Sequence, residues 1–403
     1  MFSKLESYIV PIRQSTCHTC HSCVRKCLFR DRLGLRPRTL QYARAAHLGQ
    51  LAHRFQEIGT SDASVSQVRA EVEEEMKEHV EAVRSGADLF GTSAKALKEA
   101  EDNLAKARVM VDLFHEAYPK NSSLTSLVQE QEVECSLRVP NLMGDGHGDP
   151  TIPLWLAGRL DDLQQLSTDD SFWIRDFKTT SRDTDDIWVG YAWSPQLRIY
   201  RILANAWLQQ NRPNIGVKVE ARGFILNVIQ TPDIILSGAD RNFQVTRKVL
   251  KSGPRKGQEI EEKTYFGEPI FENYLRRVRQ WYRQQQAEGK MKVPFMSVMI
   301  PFTEPTLTRD FLTHLLGVRW VCTVSLWDAT PDALEQNFPK DPTGTACRAF
   351  SKTCDYFPLC NAAAEKWPGM METLYKQERP SLCIVESQEA QPAIQDSSKI
   401  LTL

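Results

Sequence analysis

The hydrophobic and polar positions in the middle of the chain alternate with the two-residue period of a β-sheet. Residues 154–163 and 173–180 are rich in β-branched and aromatic side chains, which is typical of strands. A polar, turn-like segment separates them, so the two strands are predicted to form a hairpin. Residues 217–229 alternate clearly and predict a third strand, whereas residues 127–135 predict an edge strand.

Helical periodicity surrounds these strands. Residues 61–119 are charged and periodic, which predicts two or more exposed helices before the sheet. A further helix is predicted from about Ser194, directly after the hairpin. The pattern is helical again from Tyr274 and between residues 309 and 333. Strands interspersed with helices indicate an α/β fold.

Composition and charge restrict the possible domain organisation and function only in part. With 403 residues, of which 41% are hydrophobic, the chain can bury a large core as one elaborated domain or two. A formal net charge of −1 gives no overall basic signature. Residues 1–60 are basic, however, and residues 61–119 are acidic. A basic patch close to a metal site would suit a phosphate backbone, although these arginines could equally form a solvated helix face.

Targeting signals and cysteines bear on the compartment. The sequence shows no signal peptide and no apolar run long enough to span a membrane, which predicts a cytoplasmic protein without membrane partners. In that compartment, ten cysteines indicate metal or cluster ligation before disulfides.

Three polar side chains interrupt the predicted hairpin. Asp176 and Lys178 lie two residues apart on one strand and therefore point to the same face. Pairing of the two strands brings Asp161 close to Asp176, and two converging carboxylates repel each other unless a divalent cation lies between them. Such a cation would be Mg²⁺ or Mn²⁺, which lowers the pKa of a bound water. Lys178 would hold that water or neutralise charge on a phosphate.

Two further pairs of residues share a helix face. Gln196 and Tyr200 are four residues apart in the helix that follows the hairpin, and Gly49 and His53 have the same spacing nearer the N-terminus. His53 is therefore expected to face the same site.

Four short motifs occur in a fixed order along the chain: Gly-x-x-x-His, Gly-x-x-Asp, Asp-x-Lys and Gln-x-x-x-Tyr. This order resembles the RecB-like branch of the PD-(D/E)XK nucleases, which includes AddB and the CRISPR-associated exonucleases. The resemblance implies a restriction-endonuclease-like core, a central mixed sheet flanked by helices. It also implies His53, Asp161 and Asp176 as metal ligands, Lys178 as the catalytic lysine, and Gln196 and Tyr200 as the helix that supports Lys178 and the DNA.

An N-terminal run of cysteines has several interpretations. Cys17, Cys20, Cys23 and Cys27 have the spacing of a bacterial ferredoxin run, but no proline follows and no second copy exists. An independent ferredoxin-like or zinc module and a buried apolar stripe are both compatible with the spacing. The resemblance favours Cys23 as a ligand, because Cys23-Val24-Arg25-Lys26 matches a motif that relatives place near the N-terminus. Cys17, Cys20 and Cys27 would then be packing residues or substitute ligands.

A second group of cysteines lies near the other end of the chain, at Cys347, Cys354 and Cys360. Together with Cys23 they resemble the [4Fe-4S] staple of AddB and the CRISPR-associated exonucleases, and four thiolates suit such a cluster. The staple would be structural, joining distant parts of the chain. Zinc in the same thiolates is the chemical alternative, and free buried cysteines are the third.

These features suggest six segments. They are a basic helical part with the cluster cysteine and the motif histidine (1–60), a helical region (61–125), a nuclease core (126–235), a hairpin insertion with C-terminal helices (236–336), an iron–sulfur cysteine segment (337–376) and a disordered tail (377–403). The basic hairpin within 243–266 would either touch DNA or be inert.

The resulting hypothesis is a metal-dependent deoxyribonuclease, expected to be an exonuclease. Its partners would be DNA and, by analogy, a helicase or recombination protein, in repair, recombination or defence in a bacterium or a virus of bacteria. The chain has no phosphate-binding Gly-x4-Gly-Lys-(Ser/Thr) loop and hence no helicase motor motif. The alternative is a non-catalytic DNA-binding or recombination scaffold of the same fold.

Overall fold

The structure is a computed structural model of the chain. It describes residues 7–38, 42–89, 91–119, 121–140, 142, 151–181, 191, 194–212, 220–249, 252, 258–266, 270–291, 293–303, 305–326, 329–347, 353–385 and 400–401.

The strands, in chain order, confirm the predicted sheet and extend it. They are β1 (Tyr8–Ile9), β2 (Leu35–Pro37), β3 (Leu124–Pro140), β4 (Thr151–Leu166), β5 (Ser171–Thr180), β6 (Ala221–Gln230), β7 (Asn242–Val249), β8 (Glu259–Phe266), β9 (Phe295–Pro301), β10 (Tyr375–Gln377), β11 (Ile384–Val385) and β12 (Ile400–Leu401). Six of them form one sheet in the order β12-β3-β4-β5-β6-β9.

This central sheet is mixed. β4 and β5 pair antiparallel as the predicted hairpin, whereas β5 and β6 run parallel. The parallel pair needs a crossover, which the helix after β5 provides. The predicted start of the third strand, residues 217–219, lies outside the described residues.

The helices surround the sheet. They are α1 (Gln14–Ser22), α2 (Val24–Cys27), a π-helical turn (Leu28–Arg32), α3 (Arg44–Ile58), α4 (Asp62–Glu75), α5 (Lys77–Arg84), α6 (Thr92–Ala117), α7 (Pro195–Asn211), α8 (Phe271–Ala287), α9 (Arg309–Thr323), α10 (Pro331–Asn337), α11 (Phe357–Asn361) and α12 (Trp367–Leu374). The described residues thus form an α/β fold with a central mixed sheet between helices, as expected.

Each face of the sheet has its own hydrophobic core. Leu203 of α7 packs with Leu160 and Phe224 in one core, and Leu51 of α3 packs with Ile229 in another. Phe224 and Ile229 are an odd number of positions apart on β6, so their side chains leave opposite faces. The α7 helix therefore covers one face, and α3 with α6 covers the other.

Two short strands lie within residues 377–403, the segment predicted to be a tail. Ile384–Val385 pairs with the N-terminal strand Tyr8–Ile9, and Ile400–Leu401 pairs with β3. Residues 386–399 lie outside the described part of the chain.

Several N-terminal arginines bond to groups inside the protein. They therefore do not contribute to a basic surface patch. Arg32 is fully buried and donates hydrogen bonds to the carbonyl oxygens of Tyr8, Val321 (2.8 Å) and Val324 (2.7 Å). Arg25 is also buried and donates to the Phe338 carbonyl oxygen at 2.8 Å. Because these guanidinium groups satisfy internal carbonyls, they are not available to a phosphate backbone.

A third arginine is held by acidic neighbours. Arg54 donates to Glu57 at 2.8 Å and to Glu71 at 2.7 Å. Much of the positive charge predicted for residues 1–60 is therefore already matched within the protein. No helix among the described residues combines the length and apolar character needed to cross a membrane.

Candidate active site

The predicted carboxylates lie where the central hairpin opens. Backbone pairing between β4 and β5 runs from Leu166–Ser171 to Asp162–Arg175. Asp161 and Asp176 follow directly after this last pair. There, a side-chain contact replaces the strand pairing: the backbone N–H of Phe177 donates to Asp161 Oδ2 at 3.1 Å. Beyond this pair the backbones of β4 and β5 are no longer paired, and the two carboxylates lie beside each other.

Asp176 is fully buried and bonds to two polar side chains. Its Oδ1 accepts hydrogen bonds from Lys178 Nζ at 2.8 Å and from Gln196 Nε2 at 3.2 Å. Its Oδ2 lies 2.8 Å from Lys178 Nζ as an ion pair, but has no partner with hydrogen-bond geometry. A buried carboxylate oxygen without a hydrogen bond is costly unless a cation serves it.

Lys178 remains a cation in this setting. Burial alone would lower the pKa of its ammonium group, but the negative charges of Asp176 and Asp161 outweigh burial and raise that pKa above its usual value. Its Nζ also lies 5.6 Å from the ring centroid of Tyr191. A group that stays protonated donates hydrogen bonds and offsets negative charge, and it does not accept a proton.

At Asp161 the surroundings disfavour the charged form of the side chain, whereas at Lys178 they favour it. Burial and the neighbouring charge of Asp176 raise its pKa to about 7. His53 Nε2 lies 3.6 Å from Asp161 Oδ2 and 2.8 Å from the Phe177 carbonyl oxygen. The structure thus brings His53, from a helix more than a hundred residues earlier in the chain, close to Asp161.

The α7 helix supplies the two polar residues that follow the hairpin. It begins at Pro195, and the Ser194 side chain caps it by accepting from the Gln196 backbone N–H at 3.1 Å. This cap sets the first turn, so Gln196 reaches Asp176. Tyr200 is one turn further along the same face; burial, then Asp161 and Asp176, raise the pKa of its phenol.

The two motif glycines permit close helix–strand packing. A Cβ on Gly158 would lie 2.8 Å from Leu203 Cδ1 and 3.3 Å from Tyr200 Cε1, both on α7. A Cβ on Gly49 would lie 3.3 Å from Thr179 Oγ1, on β5. Gly158→Ala would require the flexible end of the Leu203 side chain to move, and Gly49→Ala would require Thr179 Oγ1 to shift by a few tenths of an ångström.

Sequence reasoning missed two parts of this site. The backbone of Phe177 contributes its N–H to Asp161 and its carbonyl oxygen to His53, which no residue-type pattern reveals. Tyr191 lies beside Lys178, but it belongs to no motif, and nothing in the sequence distinguishes it from other tyrosines.

The raised pKa of Asp161 predicts a pH-dependent stability without added metal. In the unfolded chain the carboxyl ionises near pH 4, whereas in the folded protein it holds its proton until about pH 7. The folded state therefore binds more protons in this window, and the free energy of unfolding falls as pH rises from 4 to 7. Urea unfolding at pH 5 and pH 8 measures this. Asp161→Asn should lose less stability over that interval than wild type. If both proteins show the same pH dependence, Asp161 does not have a raised pKa in the folded protein.

The Cys360 thiol lies within electrostatic range of the other three cysteines of the predicted staple, although the described residues include no group of three potential ligands placed to bind a metal ion. Burial, and then the charges of Cys23, Cys354 and Cys347, raise the pKa of the Cys360 thiol to about 12. Cys354 also donates its backbone N–H to the Cys347 carbonyl oxygen at 2.9 Å. The fold thus brings Cys23, at the N-terminal end of α2, to three cysteines that follow it by more than three hundred residues.

The remaining N-terminal cysteines form a separate, buried group. Cys17, Cys20 and Cys27 are buried in the core together with Cys322 of α9. Cys27 and Cys20 interact directly through their side chains. These four cysteines belong to the main hydrophobic core.

Metal ligation requires donors of suitable chemistry. Among the described residues, no three His, Cys, Asp or Glu side chains are already gathered around one point. The donor chemistry nevertheless suits a hard divalent cation, because Asp161 and Asp176 are neighbouring carboxylates whose charges repel. A cation there would offset this repulsion, which is the next cause, after burial, of the raised Asp161 pKa.

Comparison with known protein families gives a match over most of the chain. The sequence profile of the PD-(D/E)XK nuclease superfamily matches residues 12–361, which is most of the chain and spans His53, the hairpin and α7. No curated protein matches the chain.

Proposed function

Since the chain belongs to the PD-(D/E)XK nuclease superfamily, we propose that it is a RecB-like, Mg²⁺- or Mn²⁺-dependent deoxyribonuclease with exonuclease action. One observation carries the proposal. The buried Asp176 contacts both Lys178 and Gln196, and it lies beside Asp161 where the two strands part. The four sequence motifs therefore meet in space, although they are dispersed along the chain.

The proposed metal ligands are His53, Asp161 and Asp176, with the Phe177 carbonyl oxygen beside them. A bound divalent cation supplies Lewis acidity to a phosphodiester oxygen and lowers the pKa of a coordinated water. The protein's own contribution is to hold two carboxylates in a partly dry cleft, which makes their interaction with a cation stronger than in water.

Lys178 acts as an ammonium group. Because its pKa is raised, it offers hydrogen-bond donors and positive charge where negative charge develops on the phosphate. Gln196 is a positioning residue, since its amide holds Asp176 Oδ1 and thereby the orientation of the carboxylate. Tyr200 lies on the α7 side of the two carboxylates.

The four staple cysteines are proposed to hold a structural [4Fe-4S] cluster, with zinc as the alternative occupant. Support comes from the electrostatic proximity of Cys23, Cys347, Cys354 and Cys360. Arg25, two residues after Cys23, also lies over the Trp367 ring at 5.5 Å, so the same two chain regions already pack together. The cluster would reinforce an existing contact.

The RecB-like order of the motifs supports a place in DNA repair or recombination. Any unwinding motor would have to come from outside this sequence, because no P-loop motif occurs in it. A helicase or recombination protein is therefore the kind of partner that the proposal implies.

The test is digestion of end-labelled linear DNA by anaerobically purified protein, with and without Mg²⁺ or Mn²⁺. We expect metal-dependent, progressive release of short products from a DNA end. Cleavage of closed circular DNA at the same rate would overturn the exonuclease assignment. A protein that binds DNA but does not cut it with either metal would instead be a non-catalytic scaffold.

A further inference from the structure

A tyrosine outside the four motifs lies next to the ammonium group of Lys178. The Nζ atom of Lys178 is 5.6 Å from the centroid of the Tyr191 ring, and a cation attracts a ring face within a distance of about 6 Å. The side chain of Lys178 is only 21% exposed, and Tyr191 packs against the main hydrophobic core. The cation and the ring therefore meet where little water surrounds them, which makes their attraction stronger than at an exposed site.

Tyr191 is connected to the turn that begins α7. Ser194 donates its backbone N–H to the Tyr191 carbonyl oxygen at 2.9 Å, and the Ser194 side chain caps the helix. Gln196, in the first turn of the same helix, donates to Asp176 at 3.2 Å. One short stretch of chain thus places a side chain beside each member of the Asp176–Lys178 ion pair.

The phenol of Tyr191 is neutral at neutral pH. Burial raises the pKa of Tyr191 to about 12, with the charge of Lys178 acting against this rise and those of Asp176 and Asp161 adding to it. A neutral phenol attracts a cation through the electron-rich face of its ring. Tyr191 therefore acts on Lys178 as an aromatic ring and does not form an ion pair with it.

A ring face holds an ammonium group without using its hydrogen bonds. Lys178 has three N–H donors, and Asp176 Oδ1 accepts one of them at 2.8 Å. The attraction to the ring depends on the position of the charge over the ring face. It therefore fixes the ammonium group while other N–H donors can turn towards a phosphate oxygen. A further carboxylate in place of the ring would compete with the phosphate for these donors.

We propose that Tyr191 is a positioning residue for Lys178: its ring face keeps the ammonium group beside Asp176 and directed towards the phosphate that is cut. This inference rests on the proposed nuclease function, in which Lys178 offsets the charge that develops on that phosphate. Tyr191 acts through Lys178 and not through a contact with DNA. Because the ring face has this role and the hydroxyl group does not, phenylalanine should replace Tyr191 without loss.

The first test compares two substitutions at this position. Tyr191→Leu removes the ring and should lower kcat for cleavage of end-labelled DNA roughly three- to thirtyfold, the rate equivalent of one cation–π contact. The KM for DNA should not change, because the lost interaction acts on the transition state. Tyr191→Phe should keep the wild-type kcat. Tyr118→Leu, which changes a tyrosine that is 37% exposed at the end of α6, should keep it as well.

The second test does not depend on cleavage. Urea unfolding without added metal is followed for wild type, Tyr191→Leu, Lys178→Met and the variant that carries both changes. Tyr191→Leu should lower the unfolding midpoint by more in the wild-type background than in the Lys178→Met background, because only the ammonium group is attracted to the ring. Such a double-mutant cycle isolates the interaction between the two side chains.

The outcomes separate this inference from the nuclease itself. Equal midpoint shifts in the two backgrounds, or a wild-type kcat for Tyr191→Leu, would overturn the inference even if DNA is cut. A raised KM with an unchanged kcat would show that Tyr191 contacts DNA, and a loss of kcat in Tyr191→Phe would assign the effect to the hydroxyl group; either result overturns it too. If the wild type does not cut DNA but the two residues are coupled in unfolding, the hold of the ring on Lys178 stands and the nuclease is rejected.

Discussion

Replacing Lys178 with methionine is expected to slow DNA cleavage by at least about 100- to 1,000-fold, because removal of one preorganised charge stabiliser has that effect. Asp176→Asn should be at least as damaging, since it removes a carboxylate needed for metal ligation and leaves Lys178 without its partner. The measurement is single-turnover cleavage of labelled linear DNA at saturating Mg²⁺.

Stability must be followed in the same variants. Asp176 is fully buried, and an unpaired buried charge costs about 3–5 kcal/mol when its partner is removed. The double variant Asp176→Asn/Lys178→Met removes both charges and is expected to unfold at a higher denaturant concentration than Lys178→Met alone. A difference of this sign shows that lost activity in the double variant does not arise from unfolding.

A matched control uses another lysine. Lys95 has a side chain that is 76% exposed and lies on α6. Lys95→Met should cut DNA at the wild-type rate. Retention of full activity by Lys178→Met and Asp176→Asn together would remove these residues from the chemistry and would leave the non-catalytic scaffold as the better account.

The second large effect concerns the cysteines. Changing Cys354 and Cys360 to alanine should abolish bound iron and its broad absorbance, and should lower the free energy of unfolding. A cross-link that closes a loop of more than three hundred residues contributes about 5 kcal/mol by chain entropy. Iron content, the absorbance spectrum and thermal melts under anaerobic conditions measure both consequences.

Two further variants make this result specific. Cys383→Ala changes a partly buried cysteine outside the staple and should keep the iron. Cys17→Ala/Cys20→Ala should also keep it, although these buried residues will cost some packing. If iron instead disappears with Cys17 and Cys20 and persists without Cys354 and Cys360, the N-terminal run is an independent metal module. Zinc in place of iron, with the same dependence on Cys354 and Cys360, would change only the occupant.

Charge was the least reliable guide to tertiary structure. Residues 1–60 looked like a basic surface, yet Arg25 and Arg32 lie in the interior and bond to carbonyl oxygens about three hundred residues away. An arginine in a sequence gives no sign of whether it will meet solvent, a phosphate or a backbone carbonyl. Only the packing of α9 and α10 against the N-terminal segment decides this.

The sequence by itself determined the strand hairpin, the shared face of Asp176 and Lys178, and the helix face of Gln196 and Tyr200. These features depend on local periods of two and 3.6 residues, which residues close in the chain impose. Tertiary structure alone decided where β4 and β5 part, how near His53 comes to Asp161, and that the backbone of Phe177 serves both. Each of these depends on contacts between distant segments, whose relative placement follows from the packing of the whole core.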